Sequence, residues 1–352
     1  MRNYLLENMG QRIRMAREMR GMTMEGLSKA MNPSVTKQAI SKYEKGLAIP
    51  GSTVLISMSN ALDVAPDYFF RQQTVSISKI AFNGRVSLDA KTTKAINETV
   101  RDYVERYLEA MQIIGAKMPS LDVSFSVDVP EEKGVIKLAN TLKEEWGLGE
   151  GPIGNVIDIL ERHGIIVIEI DSDNIFEGLS GWINDTYPII VLDKSLTYDN
   201  KRFTALHELG HILISPEQKS RKVESLCNRF AGEMLISDER LKQIVGTKIK
   251  GVFLEELENI KDIYGISIDA LFDKMLKAGI ITKSSAEVYE KLKTEREHFR
   301  LRVTQPSKES PETSHKFVNM VCRALSLEAI TSSKAAVLLN VPVSDVAKLH
   351  SL

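Results

Sequence analysis

The sequence predicts a multidomain, mainly α protein with one small β-sheet, arranged as an all-α head, an α+β body and a helical C-terminal tail. Three observations predict it. Apolar residues recur three and four positions apart along most of the 352 residues, the spacing of one helix face. An apolar run interrupted only by Glu169, IIVIEI at 165–170, has the length and β-branching of a buried strand. Two stretches, 71–90 and the Pro-, Ser-, Glu- and Lys-rich 302–315, interrupt the pattern and read as polar linkers.

The head, residues 1–70, reads as five short helices. An amphipathic helix covers about 5–20. Thr23 caps a second over about 24–31, with Leu27, Ala30 and Met31 on one face. Asn32-Pro33-Ser34 breaks the chain before a third helix at about 36–44, which Gly46 stops and Pro50 follows. Val54, Leu55, Met58, Ala61 and Leu62 mark a fourth, and a break at 63–66 leads to a last one ending near Phe70. In the next segment, 71–130, Ile96, Val100, Tyr103, Tyr107, Met111 and Ile114 form one stripe of a long helix over about 90–114. The stripe either packs on its own chain or pairs with a second copy. Segment 71–130 is therefore a linker plus a long helix suited to dimerisation.

The body, 131–301, opens with a helix to about Trp146, a glycine-rich break, and a helix over about 152–163 that His163 caps at its C-terminus. Strands at about 178–183 and 188–192, with a turn at Asn184-Asp185, follow the first strand. The pattern is then helical to about 300. Beyond the second linker, 302–315, the tail at 316–352 reads as two or three helices: FVNMVCRALSLEAI, SSKAAVLLN and VSDVAKLH. It suits a packing or dimer element, or a second, minor helix-turn-helix.

Composition narrows the class. With 43% hydrophobic and 26% charged residues, the chain can build cores and is not expected to be disordered. No run of about 18 apolar residues suggests a membrane span, and the N-terminal stretch lacks the apolar core of a secretory signal. Cys227 and Cys322 both lie in helical apolar patterns and read as buried thiols of a reducing compartment. A cytoplasmic location is expected. The net charge of −1 hides an asymmetry: residues 1–50 carry nine Lys and Arg against four Glu. A basic head on an acidic body points to a polyanion as the head's partner.

The head has the layout of a helix-turn-helix, in which a third helix presents its first turn to base edges. In VTKQAISKYEKG, residues 35–46, Ile40 and Tyr43 face inward, leaving Lys37, Gln38, Ser41 and Lys42 outward. Lysine can donate to guanine and glutamine can pair with adenine, while Lys45 is placed for a phosphate. GQRIRMAREMRG, GLSKAM, AISKYEKG and LISMSNALDVAPDYFF together resemble the lambda-repressor-like, or XRE, family over about residues 10–70. That resemblance implies base contacts from Lys37, Gln38 and Ser41, a structural ion pair between Arg17 and Glu44, and dimeric binding to paired half-sites of double-stranded DNA. The turn Asn32-Pro33-Ser34 is longer than the family's usual one.

The body carries FTALHELGHILI at 203–214. His207 and His211, four apart on a helix, lie on one face and can share a metal ion, with Glu208 beside them to take a proton from water. Zinc needs a third protein ligand and an open position. In the next helix, VESLCNRFAGEMLI, Glu224 and Asn228 share a face, the amide suited to orienting a ligand; by spacing alone Glu217, Glu233 and Asp238 compete with Glu224. Tyr187 and Tyr198 are candidates for oxyanion support, and the strand at 188–192 for pairing with an extended substrate along an edge.

From about 157 to 280, the apolar strand, GLSGWI, PIIVLD, FTALHELGHILI and ESLCNRFA resemble the ImmA/IrrE family of metallopeptidase-like proteins. The resemblance implies a zincin-like body, a zinc ion on His207, His211 and Glu224, and Glu208 as catalytic residue. The helix ends in Leu235-Ile236-Ser237, without the proline frequent in the family. Two functions follow as expectations. One is a prophage- or toxin–antitoxin-type regulator that binds DNA as a homodimer and cleaves a repressor or antitoxin-like partner as a zinc metalloendopeptidase. The alternative is a non-enzymatic regulator or antitoxin whose body senses a ligand or holds a partner.

Overall fold

The computed structural model describes residues 2–81, 88–121, 131–214, 221–249, 251, 253–307 and 312–349. The fold is mainly helical with one small sheet, and the chain divides into two compact units. One combines Met1–Ser78, Ser87–Met118 and His315–Leu352; the other holds Lys79–Val86 and Pro119–Ser314.

In the first unit, α1 (Arg2–Met19), α2 (Met24–Ala30), α3 (Lys37–Glu44), α4 (Ser52–Leu62) and a short 3-10 helix (Pro66–Phe70) enclose one core. Ile13, Leu27, Ile40, Met58, Leu62 and Phe69 are fully buried in it. Thr23 and Thr36 cap α2 and α3, each hydroxyl accepting a backbone N–H of the first turn. Gly10 is the contact point of α1 with the end of α3. A Cβ there would lie 2.6 Å from the carbonyl oxygen of Tyr43, so only glycine allows that approach. Arg12, 1% exposed, donates to the carbonyls of Arg71 and Gln72 at 3.0 and 2.6 Å and pairs with Glu105 at 2.7 Å. The start of the segment expected to be a linker is therefore fastened to the head. Strand β1 (Ile77–Ala81) follows.

Glu105 belongs to α5 (Ala90–Ile113), the long helix the stripe predicted. Ile96, Val100 and Tyr107 of the stripe are buried, and so are Val104, Ala110, Glu105 and Arg106. Two faces are covered, because α1 packs on one side of α5 and the C-terminal helices pack on another.

The second unit contains α6 (Glu132–Glu145), α7 (Val156–Arg162), β2 (Ile166–Ile170), β3 (Gly178–Ile183) and β4 (Tyr187–Asp193). The sheet order is β1-β3-β4-β2. β4 runs parallel to β2, with Ile168 opposite Val191, and antiparallel to β3, with Ser180 opposite Ile190. This corrects the expectation that 188–192 is an edge open to substrate. β4 is interior, and its residues 188–193 are all buried, which is the burial that an unbroken PIIVLD run dictates. Next come α8 (Tyr198–Leu213), α9 (Arg221–Leu235), α10 (Asp238–Val245), α11 (Leu254–Tyr264), α12 (Ile268–Lys277), α13 (Lys283–Glu295) and α14 (Glu297–Thr304). α8 lies on β3 and β4 and packs along α9, with Leu206, Leu209, Leu213, Phe230 and Met234 in one core.

The second linker is also corrected. Thr304 ends α14, and Ser307 and Glu312 are 3% and 4% exposed. Glu312 accepts from the Ile157 N–H at 2.9 Å and pairs with Arg202 of α8 at 3.0 Å. Ser307 donates its N–H to Asp199 at 3.1 Å, and Ser314 its hydroxyl to Glu161 at 2.6 Å. At Ser307, Glu312 and Ser314 the polar side chains satisfy buried partners.

The tail, α15 (Lys316–Ser326), α16 (Ser332–Leu339) and α17 (Val343–Leu349), returns to the first unit. Phe317 packs on Tyr103 and Tyr107 with ring centroids 5.1 and 5.7 Å away. Arg106 donates to the Leu338 carbonyl at 2.6 Å, and Lys334 pairs with Glu109 at 2.6 Å. The stripe and the tail, both nominated from the sequence as dimer contacts, cover each other within one chain. Among the described residues no helix is long and apolar enough to cross a membrane.

Candidate metal centre and nucleic-acid interface

The metal-ligand candidates come from the facing sides of α8 and α9. One ligand atom each from His207, His211 and Glu224 lies within 4.8 Å of the others. The two Nε2 atoms are 3.0 Å apart, and each is 3.4 Å from a different Glu224 oxygen. The histidine side chains are 12% and 9% exposed and Glu224 is 45% exposed, so the group opens to solvent on its carboxylate side. His207 Nδ1 lies 2.8 Å from Asn228 Oδ1. An amide oxygen there holds the ring proton on Nδ1 and leaves the Nε2 lone pair for the centre. Burial pulls the His207 pKa down, but Glu224, Glu208 and Asn228 outweigh it and leave it raised. The hydrogen bond to His207 leads the effects that hold the Glu224 carboxyl below its ordinary value against its partial burial.

Glu208 follows His207 on α8, close enough to act on its charge, and is 1% exposed. Its Oε2 accepts from the Ser180 hydroxyl at 2.7 Å. Gly178 makes that approach of β3 to α8 feasible: a Cβ there would lie 2.5 Å from Thr204 Cγ2 and 2.9 Å from Glu208 Cγ.

In the head, Lys37, Gln38, Lys42 and Lys45 are exposed and Ser41 is half-buried. Arg17 pairs with Glu44 through two bonds of 2.6 and 2.9 Å, as the resemblance implied. The long turn before α3 is held by Ser28 donating to the Val35 carbonyl at 2.6 Å and Ser57 to that of Pro33 at 3.3 Å.

Residues 13–69 match a family model described as helix-turn-helix, and residues 160–274 match one described as IrrE N-terminal-like domain. The chain carries a helix-turn-helix domain and an IrrE N-terminal-like domain. Two relatives from Sinorhizobium fredii (strain NBRC 101917 / NGR234) are similar to a short part of it. The uncharacterized HTH-type transcriptional regulator y4wC is 44% identical over 63 residues, 18% of this chain and 43% of the relative. The uncharacterized HTH-type transcriptional regulator y4aM is 43% identical over 61 residues, 17% of this chain and 41% of the relative. The chain thus spans less than half the length of these curated relatives.

Within the IrrE-like domain, the rival ligands are occupied elsewhere. Glu233 and Asp238 bind Lys274 at 2.5 and 2.7 Å, and Asp238 also pairs with Arg229; Glu217 lies outside the described residues. Tyr198 sits under the Arg202 guanidinium, 5.2 Å from it, at the far end of α8 from the histidines. His163 ends α7 and stacks on Trp146 at 4.1 Å, where burial pulls its pKa down. Ser180 and Gly178 were not singled out in the sequence. Their signal is the i, i+2 spacing of two small residues in GLSGWI, which puts both on the strand face that meets α8.

Proposed function

We propose that this protein is a DNA-binding transcriptional regulator whose IrrE-like domain is a zinc peptidase that cleaves a repressor or antitoxin-like partner. The observation that carries it is the convergence of His207, His211 and Glu224 beside a buried, hydroxyl-held Glu208. The donor set fits zinc. A proton can bridge two of the three facing atoms, whereas a cation satisfies all three, and two imidazoles with one carboxylate leave a fourth position open, as in hydrolytic sites. Bound there, zinc would supply Lewis-acid polarisation of a peptide carbonyl and acidification of water.

The protein's own groups do the rest. Asn228 orients His207. Ser180 fixes one oxygen of Glu208, and the burial of that carboxylate favours its taking the proton of an attacking water and delivering it to the leaving amine. In the helix-turn-helix domain, Lys37, Gln38 and Ser41 offer donors and acceptors to base edges, and Lys42 and Lys45 offer charge to phosphates. The matches to two HTH-type transcriptional regulators support the DNA half of the proposal.

The experiment is a Glu208→Ala variant tested for zinc content, DNA binding and cleavage of neighbouring regulators in cells. The expected result is loss of cleavage and of the regulatory response, with zinc and DNA binding retained. A Glu208→Ala protein that regulates and processes as the wild type does would show instead that the IrrE-like domain works as a sensor or a partner-binding module.

A further inference from the structure

The first turn of α5 and the first residue of α3 line one cavity. Lys91 and Lys94, three apart on one side of α5, line a cavity of about 600 Å³ together with Lys37 of α3, Arg17, and the α1–α2 turn at Gly21 and Met22. The charges around this cavity are unequally satisfied. Arg17 spends its donors on Glu44 and on the Met22 carbonyl, the latter at 2.8 Å. The acids nearby are engaged: Glu18 with Arg14 at 3.0 Å, Glu25 with Lys29 at 2.7 Å, and Asp89 in capping α5 through the Thr92 N–H at 2.6 Å. Lys94 reaches Glu18 only at 4.0 Å. Lys37 and Lys91 are exposed; neither forms an ion pair within 4.0 Å among the described residues, although the charge of Lys91 is felt by Asp89. Three lysines from two helices far apart in sequence thus line one cavity with Glu18 and Glu25, and each of those acids makes its shorter ion pair with another cation.

We infer that Lys91 and Lys94 of α5 are backbone-phosphate contacts that extend the DNA footprint beyond the helix-turn-helix domain. The inference rests on the DNA-binding proposal above and adds to it a surface outside residues 13–69. A duplex whose bases meet the first turn of α3 brings its sugar–phosphate strand past Lys37. A rim carrying further cations on the same cavity as that residue is where the strand's charge is best met. Such contacts position the protein without reading sequence. α5 therefore has three roles in its unit: support of α1, a seat for the tail, and an electrostatic clamp at its N-terminal turn.

The test measures binding of the full-length protein to a short random-sequence duplex as a function of salt, by fluorescence anisotropy. The arms are wild type, Lys91→Ala/Lys94→Ala, Lys91→Arg/Lys94→Arg, and Lys291→Ala, an exposed lysine on α13, as control. Each phosphate contact contributes about 0.9 to the slope of log affinity against log salt. The double alanine variant is expected to flatten the slope by nearly two and to lose affinity for random and selected duplexes by the same factor. The arginine variant should keep the slope, the control should be unchanged, and thermal unfolding should match wild type in all arms. A wild-type slope retained in the double alanine variant overturns the inference while leaving DNA binding by α3 intact. A variant altered only in binding inorganic phosphate would make the rim a small-anion pocket, which also overturns it. Absence of salt-dependent duplex binding by the wild type would sink both this inference and the DNA-binding proposal.

Discussion

At the scale of single residues, the centre depends on side chains that touch no substrate. Asn228 holds Nδ1 of His207 at 2.8 Å and so decides which nitrogen faces Glu224. Replacing Asn228 with Ala should weaken zinc affinity by about 10–100-fold, the usual effect of removing a group that orients a ligand. Competition titration with a chelating dye checks this, and an unchanged affinity would remove Asn228 from the site. The His207-Glu208-His211 group was legible in the sequence because one helix supplies the whole cluster at fixed spacing. Glu224 was not settled by spacing, since Glu217, Glu233 and Asp238 fit equally well until a resemblance chose among them. For Ser180 the spacing in GLSGWI marks only the strand face; its partner, 28 positions away across a strand–helix contact, is not recorded in any local period.

At the scale of elements, α9, α10 and α12 are joined by a buried charge cluster. Arg229, 4% exposed, and Lys274, 3% exposed, share Glu233 and Asp238. Burial alone would push the Asp238 carboxyl up, but Arg229 and Lys274 outweigh it and hold the acid well below its ordinary value of 3.8. A carboxyl depressed in the native state stabilises the fold fully above its unfolded pKa and loses that contribution as pH falls through the native value. The IrrE-like unit should therefore lose stability as the pH drops below about 4, with a weaker dependence in Asp238→Asn. At neutral pH the same substitution should cost about 3–5 kcal/mol, because it leaves buried cations short of charge. Urea unfolding at several pH values reads both effects. β4 shows where pattern reading falls short: PIIVLD announces burial, but an apolar run does not say whether a strand has one neighbour or two.

At the scale of the molecule, the C-terminal helices stabilise a unit whose other members precede them by some two hundred residues. Phe317 is 4% exposed and stacks against α5, which in turn carries α1. Phe317→Ala should destabilise the first unit by about 3–5 kcal/mol. Duplex binding should then melt out at a lower temperature while the proposed zinc site of the IrrE-like unit stays intact. Anisotropy against temperature, with zinc retention followed in parallel, checks this. Equal loss of both would mean that the two units unfold together.

The sequence by itself determined most of the helices, three of the four strands, the third helix of the head and the histidine pair, because each is set by spacing within one element, whereas β1 lies in the stretch read as a linker. It also determined that a basic head precedes an acidic body. Only the tertiary structure decided that β4 is interior, that Ser307 and Glu312 are buried against α8 and α7, and that the tail packs on α5. It alone placed Lys91 and Lys37 on the wall of one cavity. These are all pairings between residues distant in sequence, made where long-range packing and charge compensation decide, and local periodicity carries no information about which distant partner completes a buried face.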